Sequence, residues 1–534
     1  MADGMDSNKY DRQLRLWGAN GQRALMTSHI LLITAGPTGT ETLKNLVLPG
    51  VGRFTIMDAA KVQERDLGNN FFVTEEHLGR PRAEVTCELL LELNPDVNGD
   101  FRVADVASVI EEEPQYFSTF NLVIATQLAA GPLAKLAEIC WDSHTPLLVC
   151  RSYGLICYVR TQLRDHCIVE SKPESDQSEL RIAAPWPELE AHCSAVDLAK
   201  LDSKEHSHTP YVVLMFQAIA AWKAQHGGQL PASFEEKRKF QQTIKDMARD
   251  FDNEINFQEA SEHYYKAYTL PCVPEEIQAL LAEAQAHDLT PQSSSFRVLL
   301  RALADFVAQE GGGLLPLPGD IPDMTSDTDS FVALQALYKA KAARDAAALA
   351  THAARHLAAL GRPASTIAPD DVALFAKNAH CLLSVTTSAL KQELAADASS
   401  SAAEGVAEAM EDPAELPAQT PICWYLALRA ADRFQAKRGR WPGETAATIA
   451  LDNQAVWAEL QALVKELGVG KGPLGLAHAR EVVRAGASEV HCVASVVGGI
   501  ASQEAVKVVT RQYAPLDNTA VYNGVAGVLG VYKL

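Results

Sequence analysis

The chain has 534 residues, which is too long for one hydrophobic core and indicates about three domains. A hydrophobic content of 47% and a charged content of 21% are typical of a globular protein, and a net charge of −20 argues against a general nucleic-acid binder, which needs a basic surface. Residues 1–9 lack the apolar core of a secretory signal, and no apolar run approaches the length of about eighteen residues that a membrane span needs. We therefore expect a soluble protein of the cytoplasm, the nucleus or both, without membrane or nucleic-acid partners.

Residues 28–58 contain a complete βαβ pattern, and the rest of the chain is expected to pack around it. The pattern is a short apolar strand, a glycine-containing loop, a helix and a second strand that ends at Asp58. An acidic residue about twenty residues after such a loop is the group that accepts a hydrogen bond from ribose in mononucleotide-binding folds. The predicted segments are strand 29–34, loop 35–39, helix 40–48 and strand 54–57.

The loop departs from the G-x-G-x-x-G pattern of a working nucleotide site. Gly36 and Gly39 hold the second and third glycine positions, but Thr34 holds the first. Pro37 also removes one backbone N–H from a loop that would direct N–H groups at phosphate. Gly39 still permits the helix to pack closely on the strand. We interpret the loop as a structural remnant rather than a working phosphate cradle.

The remaining α/β pattern lies at both ends of the chain. After an opening KYDRQLRLWG at residues 9–18, strands alternate with helices up to residue 170, and the pattern returns from residue 486 to the end. Such alternation predicts a doubly wound, mainly parallel, Rossmann-like sheet. The predicted segments are helices 82–93, 131–141 and 491–512, and strands 121–126, 146–150, 519–523 and 530–534.

The middle of the chain, residues 171–485, is mostly helical and is predicted to be an insertion into that sheet domain. One long helix is expected over residues 331–360, capped by Asp329 and Ser330. An acidic, Ala/Ser-rich segment at residues 393–419 is typical of a mobile linker.

No metal site is predicted. The ten cysteines include no C-x-x-C pair, so we expect reduced and mostly buried thiols. His206 and His208 have no carboxylate or cysteine at a spacing that would complete a metal site, and hydrogen-bonded imidazoles in a loop are the better interpretation.

Several motifs together resemble the adenylation domain of ubiquitin-like-protein-activating (E1) enzymes, which has the MoeB/ThiF type of fold. These are KYDRQLRLWG, the altered glycine loop, KNLVLPGVGRFTIMD and GNNFF. HSHTPY at residues 206–211 and ADRFQAKRGRWPG at residues 431–443 extend the resemblance over nearly the whole chain, in the pattern of the regulatory members of that family.

The resemblance implies a decayed adenylation site, centred on Gly36, Gly39 and Asp58 and expected to be empty. Active members carry D-x-D and S-N-x-x-R patterns, a lysine, and an aspartate that holds Mg²⁺, a role for which a neutral amide is poorly suited. The corresponding positions here are Ala60 for the second acid, Asp66 and Asn69 for the asparagine and arginine, Arg82 for the lysine and Gln127 for the metal-holding aspartate. No cofactor or metal is therefore expected on this chain.

The resemblance also implies a residue that acts in trans. Adenylation domains of this family pair, and the arginine of an N-terminal Y-x-R-Q motif reaches the ATP of the partner. Tyr10–Gln13 matches that motif, so Arg12 is the candidate, with Arg15 as a second one. None of the cysteines of the middle region, Cys193, Cys272, Cys381 and Cys423, has the surroundings of a thioester-forming cysteine, and we expect packing cysteines in a pseudo-catalytic-cysteine domain.

The implied function is that of a non-catalytic subunit in a heterodimeric E1. The partner would supply the Mg-ATP site and the catalytic cysteine, and the complex would adenylate a ubiquitin-like modifier and pass it to an E2. Two alternatives stay open at this point. One is a self-sufficient ATP-dependent adenylating enzyme that uses Asp58 and loop 36–39. The other is an NAD-binding oxidoreductase, although the middle region shows no compact catalytic set beside the cofactor strand.

Overall fold

The structure is a computed structural model that describes residues 9–171, 179–395, 397–411 and 419–534. The chain divides into two compact units. The first consists of Met1–Ile168 and Ser384–Leu534, and the second of Val169–Leu383.

An eight-stranded sheet forms the centre of the first unit. The strands in the described residues are β1 His29–Ile33, β2 Arg53–Met57, β3 Asn98–Arg102, β4 Leu122–Thr126, β5 Leu147–Tyr153, β6 Ile156–Gln162, β7 His166–Ile168, β8 Leu383–Val385, β9 Thr519–Asn523 and β10 Val528–Tyr532. The sheet has the order β10-β9-β6-β5-β4-β1-β2-β3, while β7 and β8 pair separately. Strands β3, β2, β1, β4 and β5 are parallel, and β6, β9 and β10 are antiparallel, which confirms the predicted mainly parallel sheet.

Two strands of the eight-stranded sheet, β3 and β6, were not predicted, and neither were the short strands β7 and β8. β3 is an edge strand with the sequence NGDFR and no fully buried residue, so it lacks the apolar run of a central strand. β6 follows β5 after a tight turn at Gly154, where φ is +62°, so hardly any loop separates the two strands in the sequence.

Helices cover both faces of the sheet. They are α1 Asp11–Met26, α2 Pro37–Val47, α3 Arg82–Leu91, α4 Val106–Glu112, α5 Ala130–Asp142, α15 Leu390–Leu394, α16 Ser401–Glu411, α17 Pro421–Arg438, α18 Ile449–Glu466, α19 Leu476–Ala485 and α20 His491–Thr510. Alternate residues of β1 enter different cores: Ile30 and Leu32 join the core under α2 and α20, whereas Leu31 and Ile33 join the core under α5 and α17. A strand buried on both faces explains the uninterrupted apolar run.

Helix α20 is the one described helix that is long and apolar enough to cross a membrane, but more than half of it is buried inside the first unit. It packs on α2, where Gly498 contacts Glu41 and Thr42. The absence of a side chain at Gly498 permits this close approach of the two helices.

Residue 485, the predicted end of the insertion, is not the boundary between the compact units, because the second unit ends at Leu383. Arg160 of β6 is fully buried and donates from Nε to Glu393 of α15 at 2.8 Å, and the hydroxyl of Tyr425 of α17 also hydrogen bonds to Glu393. These contacts attach the segment to the sheet. Helical content alone does not reveal which core a helix joins, so sequence composition placed this boundary incorrectly.

The predicted linker at residues 393–419 contains the end of α15 and the whole of α16, which buries Ala402, Val406 and Met410. Its Ala-rich composition suits a helix as well as a linker. Residues 396 and 412–418 of that prediction lie outside the described residues.

The second unit is helical, as predicted. Its helices are α6 Pro187–Ala195, α7 Ser203–Ser207, α8 Tyr211–Gln225, α9 Phe234–Asp246, α10 Ile255–Glu262, α11 Glu275–Ala286, α12 Ser295–Ala308, α13 Thr328–Ala359 and α14 Pro369–Lys377. The cap of α13 is Asp327 rather than Asp329 or Ser330, because its side chain accepts the Ser330 N–H at 2.8 Å. His206 is buried and pairs through Nδ1 with Glu254 at 2.6 Å, as expected of a structural imidazole.

Candidate functional site

The candidate site lies at the C-terminal ends of β1, β2 and β4, where α2 begins. Helix α2 starts at Pro37, earlier than predicted, with Gly36 as its N-cap. Proline is well suited to the first helical position, where its missing N–H has no intrahelical partner. Thr34 has a φ of +71°, a conformation that strains a β-branched residue, and its carbonyl accepts a hydrogen bond from Thr126 Oγ1 at 2.8 Å.

Gly39 holds the helix against the strand. A Cβ atom at this position would lie 2.4 Å from the carbonyl oxygen of Thr34, so only glycine fits. The predicted role of Gly39 in close helix–strand packing is confirmed.

The N-terminus of α2 is filled by a carboxylate of the same chain. Glu489 Oε2 accepts hydrogen bonds from Thr38 N at 3.0 Å and from Thr38 Oγ1 at 2.6 Å. A Cβ atom on Gly36 would lie 2.7 Å from Glu489 Oε1, so the carboxylate also fills the space that Gly36 leaves free. Nucleotide-binding folds place phosphate here, because free N–H groups and the helix dipole favour an anion.

The segment that carries Glu489 is fixed in place. Asn69 Nδ2 donates to the Glu489 carbonyl at 3.1 Å, and Gly154 N donates to the Ser488 carbonyl at 2.8 Å. Burial raises the pKa of Glu489, while the hydrogen bonds from Thr38 and the charge of Arg82 act in the opposite direction. Glu489 was not predicted from the sequence, because it precedes α20 without a local motif and its partner is 451 residues away.

The acid predicted to face ribose is already paired. Asp58 Oδ2 accepts from Ala35 N at 2.9 Å and from Arg82 Nε at 2.8 Å, and Asp58 Oδ1 accepts from Ala60 N at 2.8 Å. Arg82 also reaches Asp66 Oδ1 at 3.3 Å and is only 9% exposed. The guanidinium at the expected lysine position therefore serves a buried ion pair.

Gln127 lies at the end of β4 in the left-handed conformation, with φ of +55°. Its amide is bonded to the backbone, because Nε2 donates to the Ser152 carbonyl at 2.7 Å and Oε1 accepts from Ser152 N at 3.2 Å. Within the described ranges, no group of three or more His, Cys, Asp or Glu residues could hold a metal ion.

The two N-terminal arginines differ. Arg15 pairs with Asp11 at 3.0 Å, whereas Arg12 is exposed in the first turn of α1 and makes no hydrogen bond or ion pair with any residue that the structure describes. Only Arg12 has a fully available guanidinium.

The four cysteines of the middle region have different environments. Cys193 and Cys423 are buried, and burial raises the pKa of each thiol to about 12. Burial also raises the pKa of Cys381. The expectation of a cysteine packed in the interior is wrong for Cys272, which is exposed on a loop before α11. It lies beside a groove lined mainly by apolar side chains. Cys272 lies between two prolines in the sequence LPCVP. This short segment has no helical or strand pattern that would bury the thiol.

Comparison with known proteins finds a family model and relatives that match nearly the whole chain. The ThiF family model matches residues 10–528. The chain is 40% identical to the NEDD8-activating enzyme E1 regulatory subunit of Xenopus laevis over 98% of both chains. It is 38% identical to the NEDD8-activating enzyme E1 regulatory subunit AXR1 of Arabidopsis thaliana, over 97% of this chain and 94% of that one.

Among solved structures, that of E. coli tRNA N6-threonylcarbamoyladenosine dehydratase in complex with AMP matches 30% of this chain and 67% of that chain, at 21% identity and a TM-score of 0.27. The near full-length matches to the curated relatives and the ThiF match carry the assignment. The chain belongs to the ThiF family and, within it, to the NEDD8-activating enzyme E1 regulatory subunits.

Proposed function

We propose that this chain is the non-catalytic subunit of a heterodimeric E1 that activates the ubiquitin-like modifier NEDD8, in the cytoplasm, the nucleus or both. The catalytic partner holds Mg-ATP and the thioester-forming cysteine, and an E2 receives the modifier from the complex. Relatives over nearly the full length of the chain bear the name of this subunit, which supports the assignment.

The observation that carries the non-catalytic role is the position of Glu489. Its carboxylate takes the two donors of Thr38 at the N-terminus of α2, where a nucleotide phosphate would bind. A second anion at this place would be repelled by the first. Asp58 and Arg82 likewise form an ion pair with each other, so neither is available to a nucleotide. The chain therefore keeps the architecture of an adenylating enzyme without an open site for ATP.

The reaction itself takes place on the partner. A carboxylate oxygen at the C-terminus of the modifier attacks the α-phosphorus of ATP, and pyrophosphate leaves. The cysteine thiolate of the partner then attacks the acyl carbon and AMP leaves, after which an E2 thiolate takes the acyl group. Mg-ATP bound to the partner would supply the adenylyl group, and the magnesium ion would neutralise phosphate charge.

This chain contributes Arg12 to that reaction. The guanidinium is exposed, permanently charged and free of a competing carboxylate in the described part of the chain, so it can reach phosphate oxygens of a neighbouring subunit. Arg15, which is held by Asp11, provides a matched comparison.

The test reconstitutes the full chain with its catalytic subunit and measures ATP–pyrophosphate exchange. We expect Arg12→Ala to slow exchange about 100-fold or more, in the range of arginine residues that stabilise phosphoryl charge. Arg15→Ala should change the rate less than about threefold, because that side chain is already paired at the surface. Size-exclusion chromatography confirms that both variants assemble. Equal rates for the two variants would contradict the role of Arg12.

A further inference from the structure

A polar cavity lies at the N-terminal ends of β4 and β5. The candidate nucleotide site lies at the other end of the strands, beyond their C-terminal ends. The volume of the cavity is about 260 Å³. The segments before β4 and β5, the segment after β6 and the end of α20 enclose it, and all of them belong to the first unit. No residue of the candidate nucleotide site lines this cavity, so it is a separate feature of the fold.

Two arginines give the cavity a positive charge. Arg511 lines it and makes no hydrogen bond or ion pair with any residue in the described ranges. Arg164 Nη1 donates to the Trp141 carbonyl at 3.2 Å and lies 3.9 Å from Asp142 Oδ1, so one of the three guanidinium nitrogens is engaged. Asp165 is the acidic residue of the lining, and it pairs with His144 at 2.8 Å. The lining therefore carries two guanidinium groups and one carboxylate.

A buried imidazole in the same lining lacks a partner. His166 is 5% exposed, and its Nε2 atom has no hydrogen-bond partner in the described structure. Burial, together with the charge of Arg511, lowers the pKa of His166 to about 4, so the ring is neutral near pH 7. A buried polar nitrogen without a partner costs free energy that a ligand in the cavity would recover.

We propose that this cavity binds a phosphate group, as inorganic phosphate or as pyrophosphate. Planar guanidinium groups match the oxygen geometry of phosphate and form strong charge-assisted hydrogen bonds with it. A hydrogenphosphate oxygen either donates or accepts a hydrogen bond, so it satisfies His166 Nε2 in either neutral tautomer. A carboxylate would serve only the tautomer in which Nε2 carries the proton.

In the experiment, the full-length chain is titrated with inorganic phosphate and, separately, with pyrophosphate. Binding is measured by isothermal titration calorimetry and ³¹P NMR. The variants are Arg511→Gln, Arg164→Gln and His166→Leu. The control is Arg484→Gln, an exposed arginine of α19 that pairs with Glu481 and does not line the cavity. Thermal unfolding confirms that each variant is folded.

We expect saturable binding of at least one of the two anions by the unmodified chain, and the anion with the higher affinity identifies the source of the phosphate group. Arg511→Gln and Arg164→Gln should each weaken this binding about tenfold or more, and His166→Leu should weaken it to a smaller extent. Arg484→Gln should leave it unchanged. Absence of saturable binding of both anions, or an equal loss in Arg484→Gln, would overturn the proposal.

Discussion

At the scale of single residues, the candidate site is defined by Glu489, which accepts hydrogen bonds from Thr38 at the N-terminus of α2, and by Arg82, which pairs with Asp58. The sequence correctly indicated that Gly36, Gly39 and Asp58 converge at one edge of the sheet, because they follow strands of a single βαβ unit. It could not indicate that Glu489 fills that edge. A contact between residues so distant in the chain depends on the tertiary fold and leaves no local pattern.

Removal of the Glu489 side chain should reopen the anion position at the N-terminus of α2. In Glu489→Ala the two donors of Thr38 lose their carboxylate, and the helix dipole again favours an incoming anion. We expect the isolated variant to bind ADP at least about tenfold more tightly than the unmodified chain in isothermal titration calorimetry, a gain of roughly 1.4 kcal/mol.

The matched control is Glu481→Ala, which removes the same charge from α19. Equal ADP affinity in the unmodified chain, Glu489→Ala and Glu481→Ala would mean that Glu489 does not block the site.

At the scale of elements, a buried ion pair ties α15 to the sheet. Arg160 and Glu393 are 0% and 1% exposed in their side chains, and the Arg160 guanidinium also donates to Ser388. Glu393→Ala would leave a buried charge unpaired, and we expect a loss of about 3 to 5 kcal/mol in the free energy of unfolding, measured with urea.

The exposed pair between Lys391 and Glu138 lies beside it and serves as the control. Glu138→Ala should cost less than about 1 kcal/mol. Similar losses for the two variants would show that the buried pair does not hold α15.

The ADRFQAKRGRWPG motif is explained by packing between α17, β5 and α18. Asp432 pairs with Arg151 of β5 at 2.9 Å, and the Arg151 guanidinium lies over Trp441, 4.5 Å from its ring centroid. Arg440 binds Asp452 of α18 through two hydrogen bonds of 2.7 and 2.8 Å. The sequence marked this motif as characteristic of the family, but its residues stabilise the first unit.

The pair between Arg440 and Asp452 makes a pH-dependent contribution to stability. The hydrogen bond from Arg440 lowers the pKa of Asp452 to about 2. A lowered carboxyl pKa stabilises the folded state at pH values above the unfolded pKa of about 3.8, and this stabilisation is lost as the pH falls towards 2. Asp452→Asn should therefore cost about 1 kcal/mol at pH 7, allowing for the partial exposure of Arg440, and progressively less below pH 4. Urea unfolding at several pH values measures this, and a constant difference from pH 7 to pH 2 would refute it.

At the scale of the whole molecule, the doubly wound sheet followed from the alternation of apolar strands and amphipathic helices at both ends of the chain. The extent of the inserted unit did not follow, because α15 to α19 are helices like those of the second unit. Their membership in the first unit is decided by side chains such as Glu393 and Asp432, whose partners are distant in sequence.

We propose, above all, that this chain keeps the adenylating fold but does not adenylate. ATP–pyrophosphate exchange in the presence of Mg²⁺ and NEDD8 tests it most directly, first with the isolated full-length chain and then with an equimolar mixture of the chain and its catalytic subunit. We predict background exchange from the chain alone and rapid exchange from the mixture. Exchange by the isolated chain at a rate comparable to that of the mixture would contradict the account.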